Sequence, residues 1–326
     1  MKIGLRSHNG AEDRLLYAQQ IGADGASIWG WAVPEYLERQ YLTSDDMRML
    51  RRRFEKYDLA LTGVGIGGQV VKNQLLGLPD READIANVAR TIRSIGEAYQ
   101  DQPENAPVLI IDQRITYWAE GRPGYTNLPV GRGGTVLLDF DAEAHASEMD
   151  KPAGDVPYDE AWSRIAYFYE HLVPVAEEAK VRLATHPDDP PLPHYRGVDQ
   201  VLTGFDGLKK VVDSFPSPYN GLLFCIGTMQ EAGEDVPELI RHFGAQNKIF
   251  YVHFRNVQGT VPRYREVFAS EGDGDMIANF KALKEVGFTG FVVPDHHPGI
   301  TGDTDWTHMS RAWHVGYLKG LIQALG

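Results

Sequence analysis

Residues 249–254 read IFYVHF, an apolar run that contains no glycine or proline. Such a run is typical of a strand buried on both faces, as in a parallel sheet. An amphipathic stretch at Ile277–Val286 follows, and a second short apolar run stands at Phe291–Pro294. The order strand, helix, strand predicts a βαβ unit.

The same alternation continues over the whole chain. It predicts eight strands: Lys2–Leu5, Ala26–Trp29, Leu59–Ile66, Val108–Ile111, Val181–Thr185, Leu222–Ile226, Ile249–Phe254 and Phe291–Pro294. It predicts eight helices: Asp13–Ile21, Ser44–Tyr57, Glu82–Gly96, Tyr158–Ala179, Gly207–Ser214, Pro237–Gly244, Ile277–Val286 and His308–Leu325. This pattern predicts an α/β protein with a (β/α)8 TIM barrel, a fold that takes about 250 residues. A doubly wound sheet is disfavoured because no GxGxxG or GxxxxGKS loop follows an early strand.

Residues 113–157 account for most of the length beyond a minimal barrel. They are rich in glycine and proline and show no hydrophobic period, so we predict a long inserted loop. Because the segment follows the fourth strand, we expect it to lie over the C-terminal mouth of the barrel, where active sites of this fold are found. We therefore expect residues 1–326 to form a single barrel domain with one insertion.

Composition excludes several classes of protein. Hydrophobic residues make up 43% and charged residues 24% of the 326 residues, which is typical of a globular chain rather than a disordered, collagen-like or coiled-coil one. The net charge of −13 argues against a nucleic-acid partner and against an anionic membrane surface. The single cysteine, Cys225, forms no intramolecular disulfide. With no apolar run near the ~18 residues of a membrane span, we expect a cytoplasmic protein.

Four residues that can bind metals stand at the ends of the last four predicted strands. They are His186, Cys225, His253 and Asp295, each about one βα unit from the next. Each alone has a structural explanation, such as a buried cysteine or an aspartate that caps a helix. Because consecutive parallel strands end at the same rim, the four together predict a metal site. This set suits Mn²⁺, Fe²⁺, Co²⁺ or Zn²⁺, and the soft thiolate disfavours Mg²⁺ and Ca²⁺.

The segments around these ligands resemble the mannonate dehydratase family, a branch of the xylose-isomerase-like metal barrels. The similar motifs are HPDDPP at His186–Pro191, CIGT at Cys225–Thr228, VHFRNV at Val252–Val257 and PDH at Pro294–His296. The resemblance implies a metal-dependent dehydratase of hexuronate catabolism that converts the sugar acid D-mannonate to 2-keto-3-deoxy-D-gluconate and water. It also implies Mn²⁺, with Fe²⁺ or Co²⁺ as alternatives, bound by the four predicted ligands.

The resemblance further implies that His296, next to Asp295, is the catalytic acid/base group. The alternative is that His296 only orients Asp295. The family usually has a catalytic tyrosine five residues before the arginine that matches Arg311, and here that position is Trp306. An indole has no ionisable proton near neutral pH and cannot serve as a general base. Either another group supplies this function or the reaction differs.

Candidates for the missing group, and for contacts with the substrate, surround the motifs. Tyr317, Tyr125, His297 and His308 are the alternatives to the tyrosine. For substrate binding we expect residues beside the metal motifs, namely Arg255, Asn256, Asp189, His297, Trp306 and His308. The planar guanidinium of Arg255 suits a substrate carboxylate, and the alternative is a salt bridge to Asp188, Asp189 or Asp275.

Other functions stay open at this point. Trp306 favours a related metal-dependent lyase, epimerase or isomerase acting on another sugar or sugar acid. A non-catalytic paralogue that binds a sugar acid is a further alternative, while the acidic charge disfavours a DNA-repair nuclease with this fold. Barrels of this class often associate, so a homo-oligomer is a hypothesis that the sequence itself does not decide.

Overall fold

The computed structural model describes residues 1–325. Its strands are β1 Lys2–His8, β2 Gly25–Trp29, β3 Ala60–Gly65, β4 Val108–Asp112, β5 Tyr125–Leu128, β6 Leu137–Asp141, β7 Leu183–His186, β8 His194–Tyr195, β9 Val198–Asp199, β10 Asn220–Cys225, β11 Ile249–Phe254, β12 Asn256–Thr260, β13 Arg263–Val267 and β14 Phe291–Pro294. Its helices are α1 Glu12–Gln20, α2 Tyr36–Arg39, α3 Ser44–Glu55, α4 Lys72–Leu76, α5 Arg81–Ala98, α6 Tyr158–Ala179, α7 Gly204–Ser214, α8 Ile226–Glu231, α9 Val236–Ala245, α10 Met276–Glu285 and α11 His308–Leu325.

Eight of these strands close into a parallel barrel in the order β1-β14-β11-β10-β7-β4-β3-β2. The prediction of an α/β TIM barrel is confirmed. All residues of β10 and β11 are buried, as expected for strands covered on both faces. The predicted strands and helices are all present with bounds that differ by at most three residues, and α2, α4 and α8 are short additional helices.

Tertiary contacts explain why some bounds differ from the prediction. Helix α7 begins at Gly204 rather than Gly207, and the backbone N–H of Phe205 in its first turn donates to the Glu234 carboxylate at 2.7 Å. A carboxylate at a helix N-terminus satisfies a free donor and complements the helix dipole. Because Glu234 lies far along the chain, a local sequence pattern does not reveal this start.

The segment 113–157 contains strands where a continuous loop was expected. Its strands β5 and β6 join β12 and β13 in an antiparallel sheet of order β12-β13-β6-β5. Phe140 on β6 stacks on Tyr264 on β13 with ring centroids 4.9 Å apart, and Tyr125 on β5 packs against the same pair. The expectation of a loop is therefore wrong for β5 and β6, because β5 pairs with β6 and β6 pairs with β13 of a hairpin that is remote in sequence.

The helices of residues 1–325 include none whose length and apolar character would suit a membrane crossing.

Candidate metal centre and its cavity

Three of the four predicted ligands converge at one rim of the barrel. His186 ends β7, Cys225 ends β10 and His253 is the fifth residue of β11, and these three strands are consecutive in the barrel. Cys225 and His253 are direct partners in the register of β10 and β11. One ligand atom from each of the three residues lies within 4.8 Å of the other two. We call this triangle the His–Cys–His cluster.

The donor atoms of the cluster fit a divalent transition metal. His186 Nδ1 lies 2.6 Å from the Pro187 carbonyl oxygen, so Nε2 is the nitrogen left for a metal. His253 Nδ1 is buried and has no hydrogen-bond partner among the described residues. Burial opposes ionisation of Cys225, but Arg255 and His253 lower the pKa of its thiol below the ordinary value. A thiolate and two imidazoles together suit Fe²⁺, Co²⁺, Zn²⁺ or Mn²⁺ better than Mg²⁺.

Asp295 lies beside the His–Cys–His cluster but is not part of that triangle. It is the first residue after β14, and its Oδ2 lies 3.2 Å from His253 Nδ1 without forming a hydrogen bond. Its Oδ1 pairs with the Arg6 guanidinium. Burial opposes its charge, yet Arg6 and the neighbouring histidines hold the pKa of Asp295 well below its usual range. Its role as fourth ligand stays a prediction.

A cavity of about 210 Å³ opens beside the cluster. Of the residues predicted from sequence, His186, His253, Asp295, His296 and Asp189 line it. These residues lie at the C-terminal ends of barrel strands or directly after them, where the fold places active sites.

His296 is held at the cavity wall by a second carboxylate. Its Nδ1 lies 2.6 Å from Oε2 of Glu266 on β13, and its Nε2 lies 3.6 Å from Asp295 Oδ2. Burial opposes protonation, but Asp295 and Glu266 raise the pKa of His296 above its ordinary value. The backbone of His296 has a φ of 45°, in the left-handed region that non-glycine residues seldom adopt. Such conformations often occur at functional sites.

Arg255 does not line the cavity, in contrast to the expectation of a substrate contact. Its guanidinium is buried, donates to Asp189 Oδ2 at 2.9 Å and to Thr228 Oγ1 at 3.0 Å, and pairs with Glu231. The alternative of a salt bridge to Asp189 is what the structure contains. Because these carboxylates occupy its donors, Arg255 holds Asp189 in place rather than facing a ligand.

Asn256 and His297 also lie outside the cavity lining. The Asn256 amide donates to the carbonyl oxygens of Ala269 and Gly274 at 2.9 and 3.1 Å, and its oxygen accepts the Gly274 N–H at 3.1 Å. The amide therefore fixes the loop after β13. His297 packs its ring edge against His314, with centroids 5.2 Å apart.

Trp306 and His308 form part of a separate aromatic cluster. The Trp306 ring contacts the guanidinium groups of both Arg14 and Arg311, which lie 4.7 and 4.4 Å from its centroid. His308 packs against Trp306 with ring centroids 4.8 Å apart and begins α11. Neither residue lines the cavity.

The tyrosines considered as substitutes for the family tyrosine are engaged elsewhere as well. The hydroxyl of Tyr125, which lies in the inserted segment, donates to Asp189 Oδ1 at 2.6 Å and helps to hold the Asp189 carboxylate in place. Tyr317 stacks on Trp313 with ring centroids 5.5 Å apart. Neither tyrosine is part of the cavity lining.

Sequence reasoning missed the residues that the first four barrel strands and the insertion contribute to the cavity. They are Arg6, His8, Ser27, Ile28, Trp29, Gly65, Ile110, Asp112, Arg114, Tyr117 and Arg122. Several of them end a predicted strand or follow it directly, which is the signal that identified the metal ligands.

Three arginines among these residues give the acidic chain a local positive wall. Arg6 is paired with Asp295, and Arg114 is held by Asp112 at 3.3 Å and by the carbonyl oxygen of Asp189. Arg122 lies in the inserted segment with 44% of its side chain exposed, 3.6 Å from Asp189 Oδ1. Its guanidinium makes no hydrogen bond to any residue in 1–325 and lies 4.0 Å above the Tyr125 ring. Arg122 therefore has donors free for a ligand.

Comparisons with known proteins identify the family of the chain. A family model described as D-mannonate dehydratase (UxuA) matches residues 147–326. The relative named Mannonate dehydratase 2 of Halalkalibacterium halodurans is 34% identical, with 85% of this chain and 86% of the relative covered. The mannonate dehydratase of Thermotoga maritima is 27% identical, with 86% of each chain covered.

Solved structures show the same fold. The crystal structure of mannonate dehydratase from Streptococcus suis serotype 2 superposes with a TM-score of 0.84 at 25% identity, covering 99% of this chain and 94% of that one. A D-psicose 3-epimerase structure superposes with a TM-score of 0.63 at 14% identity, covering 99% of each chain, and shares the fold alone.

Proposed function

Since the chain belongs to the mannonate dehydratase family, we propose that it removes water from D-mannonate and releases 2-keto-3-deoxy-D-gluconate. A dehydratase is a hydro-lyase, so the chain is a carbon–oxygen lyase. The observation that carries the substrate proposal is the His–Cys–His cluster beside a cavity that also holds His296 and three arginines. A metal site, a proton donor and a positive wall are what elimination from a sugar acid requires.

His186, Cys225 and His253 would hold the metal, with Asp295 as the proposed fourth ligand. We propose Mn²⁺, with Fe²⁺ or Co²⁺ as alternatives. When bound, the metal supplies Lewis-acid stabilisation for negative charge that develops on the substrate.

Arg122 is the proposed partner of the substrate carboxylate, in place of Arg255. The Arg122 guanidinium makes no hydrogen bond to residues 1–325 and only a 3.6 Å ion pair with Asp189, whereas Arg6, Arg114 and Arg255 each donate at least one hydrogen bond to a carboxylate or a backbone oxygen. A guanidinium can bind a carboxylate with two parallel hydrogen bonds. In a chain of net charge −13, such a local cation is needed to attract an anionic substrate.

His296 is the proposed acid for the departing C3 hydroxyl group. It lines the cavity, and Glu266 fixes its Nδ1, which leaves Nε2 as the ring nitrogen for a substrate. Asp189 lies on the same cavity and is held by Arg255 and Tyr125, so it is placed to accept hydrogen bonds from substrate hydroxyls. General acid catalysis of this kind contributes roughly 10²- to 10⁴-fold in rate.

The test is to load the protein with Mn²⁺, Fe²⁺ or Co²⁺, supply a panel of aldonates that includes D-mannonate, and assay for 2-keto-3-deoxy acids. We expect product from D-mannonate and none from the Cys225→Ser variant. Product only from another acid, or an isomer formed without loss of water, would assign the chain to a related lyase, epimerase or isomerase. Binding without turnover would identify a non-catalytic paralogue.

A further inference from the structure

A second histidine faces the cavity from the strand next to the one that leads to His296. His8 is the last residue of β1, and β1 pairs with β14, which ends just before Asp295 and His296. Both histidines line the cavity, together with His186 and His253 of the cluster. Of the four histidines that line the cavity, His8 is the one that does not belong to a metal motif.

The backbone at His8 departs from regular strand geometry. The pairing of β1 with β2 shifts register between Arg6 and His8, which is a local bulge. The Asn9 N–H donates to the Ser7 carbonyl oxygen at 2.9 Å, and this closes a three-residue turn centred on His8, whose φ is 68°. A bulge redirects a side chain, and a non-glycine residue in a positive-φ turn is strained. Strain of this kind is concentrated at functional sites.

The turn is fixed by its neighbours. The Ser7 hydroxyl accepts the Gly10 N–H at 3.1 Å, and the Asn9 side-chain oxygen accepts the Ala11 N–H at 3.1 Å. The Arg14 guanidinium donates to the Ser7 carbonyl oxygen at 2.8 Å. These bonds hold His8 in its direction without contacting its imidazole ring.

The ring of His8 is available for a ligand. Its nitrogens make no hydrogen bond to another described side chain or backbone group. Burial, together with Arg6, Arg311 and Arg14, lowers the pKa of His8 to about 3, and the opposing effect of Asp295 is smaller. At neutral pH the His8 imidazole is therefore uncharged, and a ring nitrogen keeps its lone pair in the ring that lines the cavity.

We propose that His8 is the general base that removes the C2 proton, the function for which Trp306 provides no group. This assignment rests on the proposed function. The C2–H bond breaks and its proton goes to the His8 imidazole, while the electron pair forms a C2=C3 double bond. The C3–O bond breaks, and the oxygen takes a proton from His296 and leaves as water. The resulting enol returns its hydroxyl proton to His296 and takes the His8 proton at C3, which gives the 2-keto acid and restores both histidines.

The test uses His8→Gly, because glycine adopts a positive φ without strain and leaves space for exogenous imidazole. His8→Asn is the second variant, since asparagine tolerates this backbone region but supplies no base. The control is His194→Asn, an exposed histidine on β8. Each protein is loaded with the same metal, and kcat and KM on D-mannonate, metal content and Tm are measured.

We expect kcat to fall roughly 10²- to 10⁴-fold in both His8 variants, with metal content and Tm close to those of the wild type, and imidazole to restore part of the activity of His8→Gly. A folded, metal-loaded His8 variant with kcat within about threefold of the active wild type would overturn the assignment and leave the proposed function intact. A wild-type protein inactive on every aldonate tested would overturn the proposed function, and the assignment with it.

Discussion

Glu266 Oε2 lies 2.6 Å from His296 Nδ1, which joins the antiparallel sheet to the cavity wall. Glu266 is on β13, the strand that pairs with β6 of the insertion. The antiparallel sheet therefore contacts the proposed acid, His296, through one charge-assisted hydrogen bond to Glu266. The insertion supports His296 indirectly, because its strand β6 pairs with β13, which carries Glu266.

Replacing Glu266 with Gln should lower kcat roughly 10- to 100-fold, the range for a hydrogen-bonded partner that orients a site residue. The KM for D-mannonate should change little because Glu266 does not line the cavity. The matched control is Glu271→Gln, since Glu271 pairs with Arg132 and leaves His296 untouched. Steady-state kinetics at saturating metal measure both variants, and equal kcat values would contradict this role.

Replacing Cys225 with Ser should remove the thiolate contribution to metal binding. In the wild type loaded with Co²⁺ we expect a near-ultraviolet thiolate-to-cobalt absorption band, and in Cys225→Ser we expect it to be absent. A bound metal stabilises the folded state by mass action, so Tm should rise on adding Co²⁺ to the wild type and less in the variant. A band of unchanged intensity in Cys225→Ser would show that Cys225 is not a ligand.

Replacing Arg122 with Gln should raise the KM for D-mannonate by roughly 10- to 100-fold, since a hydrogen bond to a charged group is worth about 1.5–3 kcal/mol. The unfolding free energy should fall by no more than about 1 kcal/mol, because the Arg122 side chain is 44% exposed and its contacts are a 3.6 Å ion pair with Asp189 and a cation–π contact with Tyr125. Arg132→Gln is the control on the same insertion, with its side chain 64% exposed. If both variants give the same KM, Arg122 does not bind the carboxylate.

Replacing Trp306 with Tyr should leave the dehydration rate within about twofold of the wild type, because residue 306 lies outside the cavity. It should lower the free energy of unfolding by about 1 kcal/mol, since the indole makes cation–π contacts with the Arg14 and Arg311 guanidinium groups that a smaller ring makes less well. Trp31→Tyr, at an exposed site, is the control for denaturant titrations. A clear gain in dehydration rate would place residue 306 in contact with the substrate.

The pH dependence of stability should carry a contribution from His314. Burial, reinforced by Arg311 and opposed by a hydrogen bond to the Ser310 carbonyl oxygen, lowers the pKa of His314 to about 4. Between pH 6.5 and pH 4 the unfolded chain therefore binds a proton that the folded chain does not. The free energy of unfolding falls as the pH is lowered through this window, by at most about 1.4 kcal/mol per pH unit from this group.

His314→Asn should flatten that slope relative to the wild type. The control is His171→Asn, because His171 makes the same hydrogen bond to the carbonyl oxygen four residues earlier, also 2.8 Å long, but at an exposed position. Denaturant titrations between pH 4 and pH 7 measure the slopes. Parallel curves for the wild type and His314→Asn would argue against a neutral, buried His314.

The alternation of buried strands with amphipathic helices is a local property, so the barrel could be predicted from sequence. The positions of His186, Cys225 and His253 followed from the same pattern, since parallel strands in a barrel end at one rim. The inserted strands β5 and β6 were not predicted because both are short, stand in a segment rich in glycine and proline, and depend on the pairing of β6 with β13, which is remote in sequence.

The amino-acid sequence by itself determined the fold class and the rim at which the ligand-forming residues gather, because strand periodicity and chain order fix both. Only the tertiary structure decided which charges meet. In the folded chain Arg255 pairs with Asp189 and Glu231, while the Arg122 guanidinium makes no hydrogen bond to residues 1–325. A bulge at the end of β1 places His8 in the cavity lining. The physical reason is that buried charged groups compete for partners across distant segments, and the outcome depends on side-chain directions that exist only once the barrel has closed.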